Sequence, residues 1–187
     1  MLSPTSIPLK TPQIPEAVSK ILEEASISLC ISDARGQDMP LVQVNEPFVS
    51  LTGYSYEEVI GHNCRFLQGQ VRQEKVAVNV GRKLEQHGEI QTVIRNQRKS
   101  GATFDNFLFI FPLLGGDDRP VHFLGSQFEI PDENQSFAFM EHVKELQKVI
   151  NNLNAVRKER RERLIEQKLL IQTSASTLVK VRLASFV

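Results

Sequence analysis

The chain has 187 residues, with 22 Lys plus Arg balanced by 22 Asp plus Glu, a length that suits one compact domain with extensions and leaves no room for two large enzyme domains. The even charge removes any whole-chain electrostatic argument for a nucleic acid or anionic membrane partner. Two cysteines, Cys30 and Cys64, are too few for a disulfide framework, no run approaches the roughly twenty apolar residues of a membrane span, and Met1 to Thr11 has no basic-then-apolar leader, so a cytoplasmic, reducing setting is expected.

Met1 to Pro15 carries Pro4, Pro8, Pro12 and Pro15. Each removes a backbone donor and biases its predecessor away from helix, so the segment reads as an extended arm. Glu16 to Ala25 places Val18, Ile21 and Leu22 at helical spacing, a short amphipathic helix able to cover a sheet face. Ile27 to Ser32 and Leu41 to Asn45 read as two strands around the turn-rich Asp33 to Pro40. From Pro47 to Leu84 the pattern is short helical pieces broken by Gly53, Gly61 and Gly69, and Ser55 with Glu58 three residues later has the form of a capping box. Asn45 is expected to end the second strand or cap the next helix.

Ile90 to Lys99, Thr103 to Pro112 and Val121 to Ile130 read as three more strands, joined by turns at Ser100-Gly101 and at Gly115 to Asp118. Two strands, a helical crossover and three strands predict an α+β domain built on an antiparallel sheet of about five strands. Ser136 to Val156 then spaces Phe139, Val143, Leu146, Ile150 and Leu153 four, three, four, three, a heptad seam that can either dock on the sheet or self-associate. Arg157 to Arg163 interrupts the seam with charge and reads as a solvated helix face, with no nucleic-acid role expected. Leu164 to Val187 recovers apolar residues, among them Leu178, Val179, Val181 and Leu183, as a second helical piece folding back or packing on a partner. The expected division is an arm at 1–15, a helix at 16–25, a core at 26–131 and a helical extension at 132–187.

Gly61 to Gln68 reads Gly-His-Asn-Cys-Arg-Phe-Leu-Gln. If Asn63 to Gln68 is a helical turn, Cys64, Leu67 and Gln68 share one face while Arg65 points about a quarter turn away. Arg65 offers planar donors suited to a phosphate, and Asn63 and Gln68 offer amides for hydroxyl groups. On the middle one of the three later strands, Thr103 to Pro112, period two groups Phe104, Asn106, Leu108 and Ile110. By the same rule Asn96 goes with Ile94, and Gln127 with Phe123 and Gly125. Three amides, Asn96, Asn106 and Gln127, thus sit among apolar neighbours. A buried amide without a partner costs about 1–3 kcal/mol, so they imply either a polar ligand edge or an internal network.

This signature resembles the LOV (light-oxygen-voltage) domains of the PAS superfamily. The likeness runs from about Ile27 to Ile130 through Arg95 to Gly101, the Asn106 strand and Gly125-Ser126-Gln127, and does not extend to the tail. It implies a PAS-type five-stranded sheet with short helices on one face, and FMN as a non-covalently bound chromophore. It further implies that Cys64 forms a reversible bond to the flavin C4a carbon in blue light. The expected flavin contacts are Asn63, Arg65, Leu67, Gln68, Asn96, Asn106, Leu108 and Gln127. Many members carry a second phosphate-binding arginine where this chain has Gly81, so Arg82 or Arg72 is expected to stand in.

Protonation of the flavin N5 would turn an acceptor into a donor and oblige the Gln127 amide to shift, which passes the signal to the helix beyond Pro131. Cys30 reads as packing, and the two cysteines as having separate jobs. His142, in Glu141 to Leu146, has a loose likeness to a sensor-kinase phosphoacceptor box, with a surface helix residue as the favoured reading. No ATP-binding lobe is recognisable and no metal site is expected, so the chain reads as a non-enzymatic, homodimeric photoreceptor resembling the short bacterial LOV proteins, with an unidentified downstream protein partner. The rival readings are the sensor fragment of a histidine kinase and a PAS interaction module without photochemistry. FAD in place of FMN is a lesser alternative.

Overall fold

The computed structural model describes residues 14–71, 84, 89–115, 119–131 and 136–159. The arm over 1–13, Arg72, Arg82, Arg160 to Arg163 and the apolar piece after Leu164 lie outside these residues. Five strands, β1 (Ser28–Asp33), β2 (Leu41–Val44), β3 (Ile90–Gln97), β4 (Thr103–Leu114) and β5 (Pro120–Glu129), form one antiparallel sheet in the order β2-β1-β5-β4-β3. The α+β architecture is therefore the expected one.

The helices divide between the two faces. α1 (Glu16–Glu23) and the long C-terminal α4 (Ser136–Glu159) cover one face, where Val18 and Leu22 meet Phe107, Phe109, Phe111 and Leu124 of the sheet. α2 (Glu46–Thr52), α3 (Tyr56–Val59) and a 3-10 stretch over Cys64–Val71 lie on the other, around Cys30, Leu41, Val44, Phe48, Val59 and Leu67. Strand alternation produces the division: along β4 the odd-numbered Phe107, Phe109 and Phe111 are fully buried under the terminal helices, while Asn106, Leu108 and Ile110 face the opposite way. Phe139, Val143, Leu146, Ile150 and Leu153 are all buried in the same cluster as α1 and the sheet. The heptad seam is thus used within the chain, which removes it as an argument for a dimer. Phe137 and Met140 remain exposed.

Asn45 explains how α1, β1 and α2 are joined. Its Oδ1 accepts from Leu29 N at 2.9 Å and from Phe48 N at 3.2 Å, and its Nδ2 donates to Leu22 O at 3.1 Å and Ile27 O at 2.8 Å. One buried amide therefore caps α2 and joins Ala25 N in bonding the Leu22 carbonyl at the end of α1. The helix accordingly stops at Glu23, short of the expected Ala25. The capping box at α3 is present, with Ser55 N donating to Glu58 Oε2 at 2.8 Å.

β4 runs two residues past the expected stop at Pro112. The last β3 partner is Ile90 opposite Ile110, so at Pro112 only β5 lies alongside, and the missing N–H leaves no ladder bond unmade on the open side. Gly69 marks the kink in the 3-10 stretch, at φ 44°. The positive φ favours glycine there, and a Cβ would also press on the end of the Gln97 side chain. Among the described residues no helix is long and apolar enough to cross a membrane.

Candidate ligand cavity and its link to the C-terminal helix

Between the 3-10 stretch and the sheet lies a cavity of about 170 Å³. Cys64, Arg65, Leu67 and Gln68 form one side with Asn63. Ile94 and Asn96 of β3, Asn106, Leu108 and Ile110 of β4, Phe123 and Gly125 of β5, and Cys30 of β1 form the other. Of the nine residues singled out with the thiol, Asn63, Arg65, Leu67, Gln68, Asn96, Asn106 and Leu108 all line this space. Gln127 does not line it, and Arg82 lies outside the described residues.

The turn carrying Cys64 is a 3-10 helix and not an α-helix, which sets Arg65 about a third of a turn from Cys64, yet its side chain also lines the cavity. Two of the three amides form an internal chain. Asn106 Nδ2 donates to Asn96 Oδ1 at 2.8 Å, and Asn96 Nδ2 donates to Leu67 O at 3.3 Å, linking β4, β3 and the 3-10 stretch. Asn106 Oδ1 and, beside the chain, Gln68 Oε1 are buried with no hydrogen-bond partner among the described residues. Such oxygens cost about 1–3 kcal/mol each unless a donor meets them.

Arg65 and Asn63 are both tied to Asp38, a residue that sequence reasoning passed over inside the β1–β2 loop. Arg65 Nη1 donates to the two Asp38 carboxylate oxygens at 2.5 and 2.6 Å, and Asn63 Nδ2 donates to the Asp38 carbonyl at 2.5 Å. Asn63 Oδ1 also accepts from Arg65 N at 2.9 Å. Asp38 holds φ 67° and Met39 φ 48°, which turns the loop over the mouth of the cavity. Both charged groups are about half exposed, so their pairing contributes at most about 1 kcal/mol.

Cys30 packs in the apolar cluster as expected, and it has polar neighbours besides. It faces the cavity, its thiol interacts with that of Cys64, and its Sγ accepts from Gln127 Nε2 at 3.3 Å. Gly125 stands opposite it in the register, and a Cβ there would come within 2.7 Å of the sulfur. The glycine makes room for this thiol. Gln127 Oε1 accepts from Ser28 Oγ at 2.9 Å, so the whole amide is held by β1. The two thiols are driven apart in acidity. Cys64 is pushed well above the ordinary thiol range, first by its contact with Cys30 and then by burial, while Cys30 is lowered by Cys64, Gln127 and the Gly125 backbone against the opposing effect of burial. Nothing in the sequence set Cys30 beside Cys64 or Gln127, because β1 and β5 pair across nearly a hundred positions.

On the opposite sheet face, one residue before Gln127, Ser126 Oγ lies 2.8 Å from His142 Nε2 of α4. His142 is only 6% exposed, packs beside Phe109 and Phe128, and has its pKa lowered by burial to about 4. It is not the surface residue expected from the helix pattern, and a phosphoacceptor role would require α4 to leave the sheet.

A family profile described as a PAS domain matches residues 26–132, the span that holds the sheet and the cavity. The Rhodobacter sphaeroides LOV protein superposes with a TM-score of 0.75 at 29% identity, over 89% of this chain and 94% of that one. The LOV domain of the Erythrobacter litoralis EL346 blue-light activated histidine kinase aligns at 34% identity and a TM-score of 0.54, over 57% of this chain and 98% of that one. A blue-light-activated histidine kinase of Rhizobium johnstonii is 33% identical over 117 residues, which are 63% of this chain and 34% of that protein. The present chain thus spans about a third of that kinase. It belongs to the LOV domains of the PAS superfamily.

Proposed function

We propose that this LOV domain is a blue-light photoreceptor that holds FMN in the cavity without a covalent bond in the dark, and in light forms a reversible bond from the Cys64 sulfur to the flavin. The observation carrying this reading is that one cavity gathers a thiol of raised pKa, Cys64, and two buried amide oxygens that meet no donor among the described residues, Gln68 Oε1 and Asn106 Oδ1. Those oxygens fit the N–H of a flavin's pyrimidine edge, and the apolar walls fit its ring. When bound and excited, the flavin supplies light absorption and the electrophilic carbon that such a bond requires.

The chain's own groups divide the remaining work. Asn96, Asn106 and Gln68 hold the polar edge, and Leu67, Leu108 and Ile94 flank the ring and exclude water. Asn63 serves the hydroxyl chain, and Arg65 serves the phosphate once Asp38 releases it, with Arg82 as the further basic group. Cys64 keeps its proton in the dark and is then a weak nucleophile, so the reaction waits for light. Gln127 re-pairs its amide, and the change travels along β5 to Ser126, His142 and α4. Re-pairing one or two hydrogen bonds at about 1 kcal/mol each matches the ~1–3 kcal/mol of typical coupling between sites. The protein so read is a sensor and not an enzyme. It passes its state to a protein partner through α4 or through a homodimer, in the cytoplasm.

The test is an absorption spectrum of the purified protein before and after blue light, with the released chromophore identified. Yellow colour that bleaches and recovers, and no bleaching in Cys64→Ala, is the expected result. A colourless protein, or bleaching that survives the substitution, overturns the proposal.

A further inference from the structure

Cys30 is the buried reactive group that the proposed photochemistry leaves unused. It lines the same cavity as Cys64 and belongs to the same apolar cluster, and both cysteines are free. Its position is built: Gly125 clears space for the sulfur, and the Gln127 amide donates to it at 3.3 Å. A cysteine serving only as a small apolar filler needs neither a cleared glycine opposite nor a donor aimed at its sulfur.

We infer that Cys30 and Cys64 form a reactive dithiol pair that an oxidant of the peroxide class converts to an internal disulfide, withdrawing Cys64 from reaction with a flavin. The consequence for light rests on the function proposed above; the chemistry of the pair does not. Donors from Cys64, Gln127 and the Gly125 backbone lower the pKa of Cys30, whereas Cys64 is raised, so Cys30 is the more acidic thiol of the two.

That division suits a two-step oxidation. The Cys30 thiolate attacks one peroxide oxygen, an S–O bond forms as the O–O bond breaks, and the departing hydroxide takes a proton and leaves as water. Cys64 sulfur then attacks the Cys30 sulfenic acid. The S–S bond forms, the S–O bond breaks, and the hydroxyl leaves with the Cys64 proton as a second water. Two thiols thus give two electrons and two protons to one peroxide. Thiol reductants reverse the step by exchange at the same sulfurs.

The experiment treats the dark, reduced, chromophore-bearing protein with hydrogen peroxide, then counts thiols after denaturation, measures intact mass and records light-driven bleaching. In the parent protein both thiols are expected to disappear together, the mass to fall by two hydrogens, and bleaching to be lost and then restored by dithiothreitol. Cys30→Ser is expected to retain bleaching after the same dose. Loss of one thiol with addition of oxygen, equal loss of bleaching in the parent and Cys30→Ser, or two intact thiols would each overturn the inference. Failure of the reduced protein to bleach at all sinks the proposed light function instead, and the thiol count and mass still decide the pair.

Discussion

Arg65 shows how a side chain chosen for one partner is held meanwhile by another. One arm of its guanidinium fork meets both Asp38 carboxylate oxygens, but the pair is half exposed, so solvent screening keeps it weak. A phosphate offers the same fork a larger charge and displaces Asp38 at little cost. Asp38→Asn is therefore expected to tighten FMN binding about fivefold, the equivalent of ~1 kcal/mol, and to leave riboflavin binding unchanged. Titration of the two flavins into stripped protein measures this, and equal effects on both would show that Arg65 does not meet the phosphate. The thiols teach the opposite lesson about legibility. Cys64 stood out because its neighbours carry a family signature, but Cys30 sits in an apolar strand like any core residue. Only the pairing of β1 with β5 makes its sulfur a neighbour of Cys64, Gln127 and the space above Gly125.

α4 is held by a long apolar seam that also carries a polar contact, between Ser126 and His142. The seam's spacing was readable, but heptad spacing serves a helix partner and a sheet surface alike, and so left docking and self-association open. The burial of all five seam residues resolves that choice. His142 also makes docking depend on pH. Its pKa is lowered from 6.5 to about 4 in the docked state, so the undocked state binds the extra proton between those values. Docking is at full strength above about pH 6.5 and weakens as pH falls toward 4, by on the order of 3 kcal/mol over the whole interval. The charged groups lining the cleft beside His142 are Glu141, Lys144, Glu145 and Lys148, all on α4 itself, and the sheet side offers Ser126, Phe109 and Phe128. Hydrogen exchange in α4, relative to the intrinsic amide rate at each pH, is expected to speed up between pH 6.5 and 4.5 in the dark. Ser126→Ala, which strips His142 of its buried partner, is expected to speed it already at pH 7, by the equivalent of about 1–3 kcal/mol. Exchange in α4 independent of both would remove the contact from any account of output.

The protein as a unit puts a cavity with unpaired acceptors on one face of the sheet and a dockable helix on the other, with β5 common to both. A cavity wall carrying buried oxygens without donors is destabilising until a ligand supplies them. Stripping the flavin is therefore expected to lower the unfolding midpoint, and adding FMN at a hundredfold its dissociation constant to restore about 2.7 kcal/mol. Thermal unfolding of stripped and reconstituted protein checks this, and identical midpoints would mean that the cavity does not bind the flavin. Local and short-range features are legible in the sequence alone: strand alternation on β4, the Ser55 to Glu58 box, the seam of α4 and the Asn63 to Gln68 motif all act through neighbours within a few positions. Propensity, period and motif are properties of adjacent residues, so the chain carried them openly. The Cys30 contact, the Asp38 hold on Arg65, the four-way bonding of Asn45 and the burial of His142 each join segments distant along the chain. Strand register and helix docking bring those segments together, and both arise from the cooperative burial of the entire core, which no local window contains.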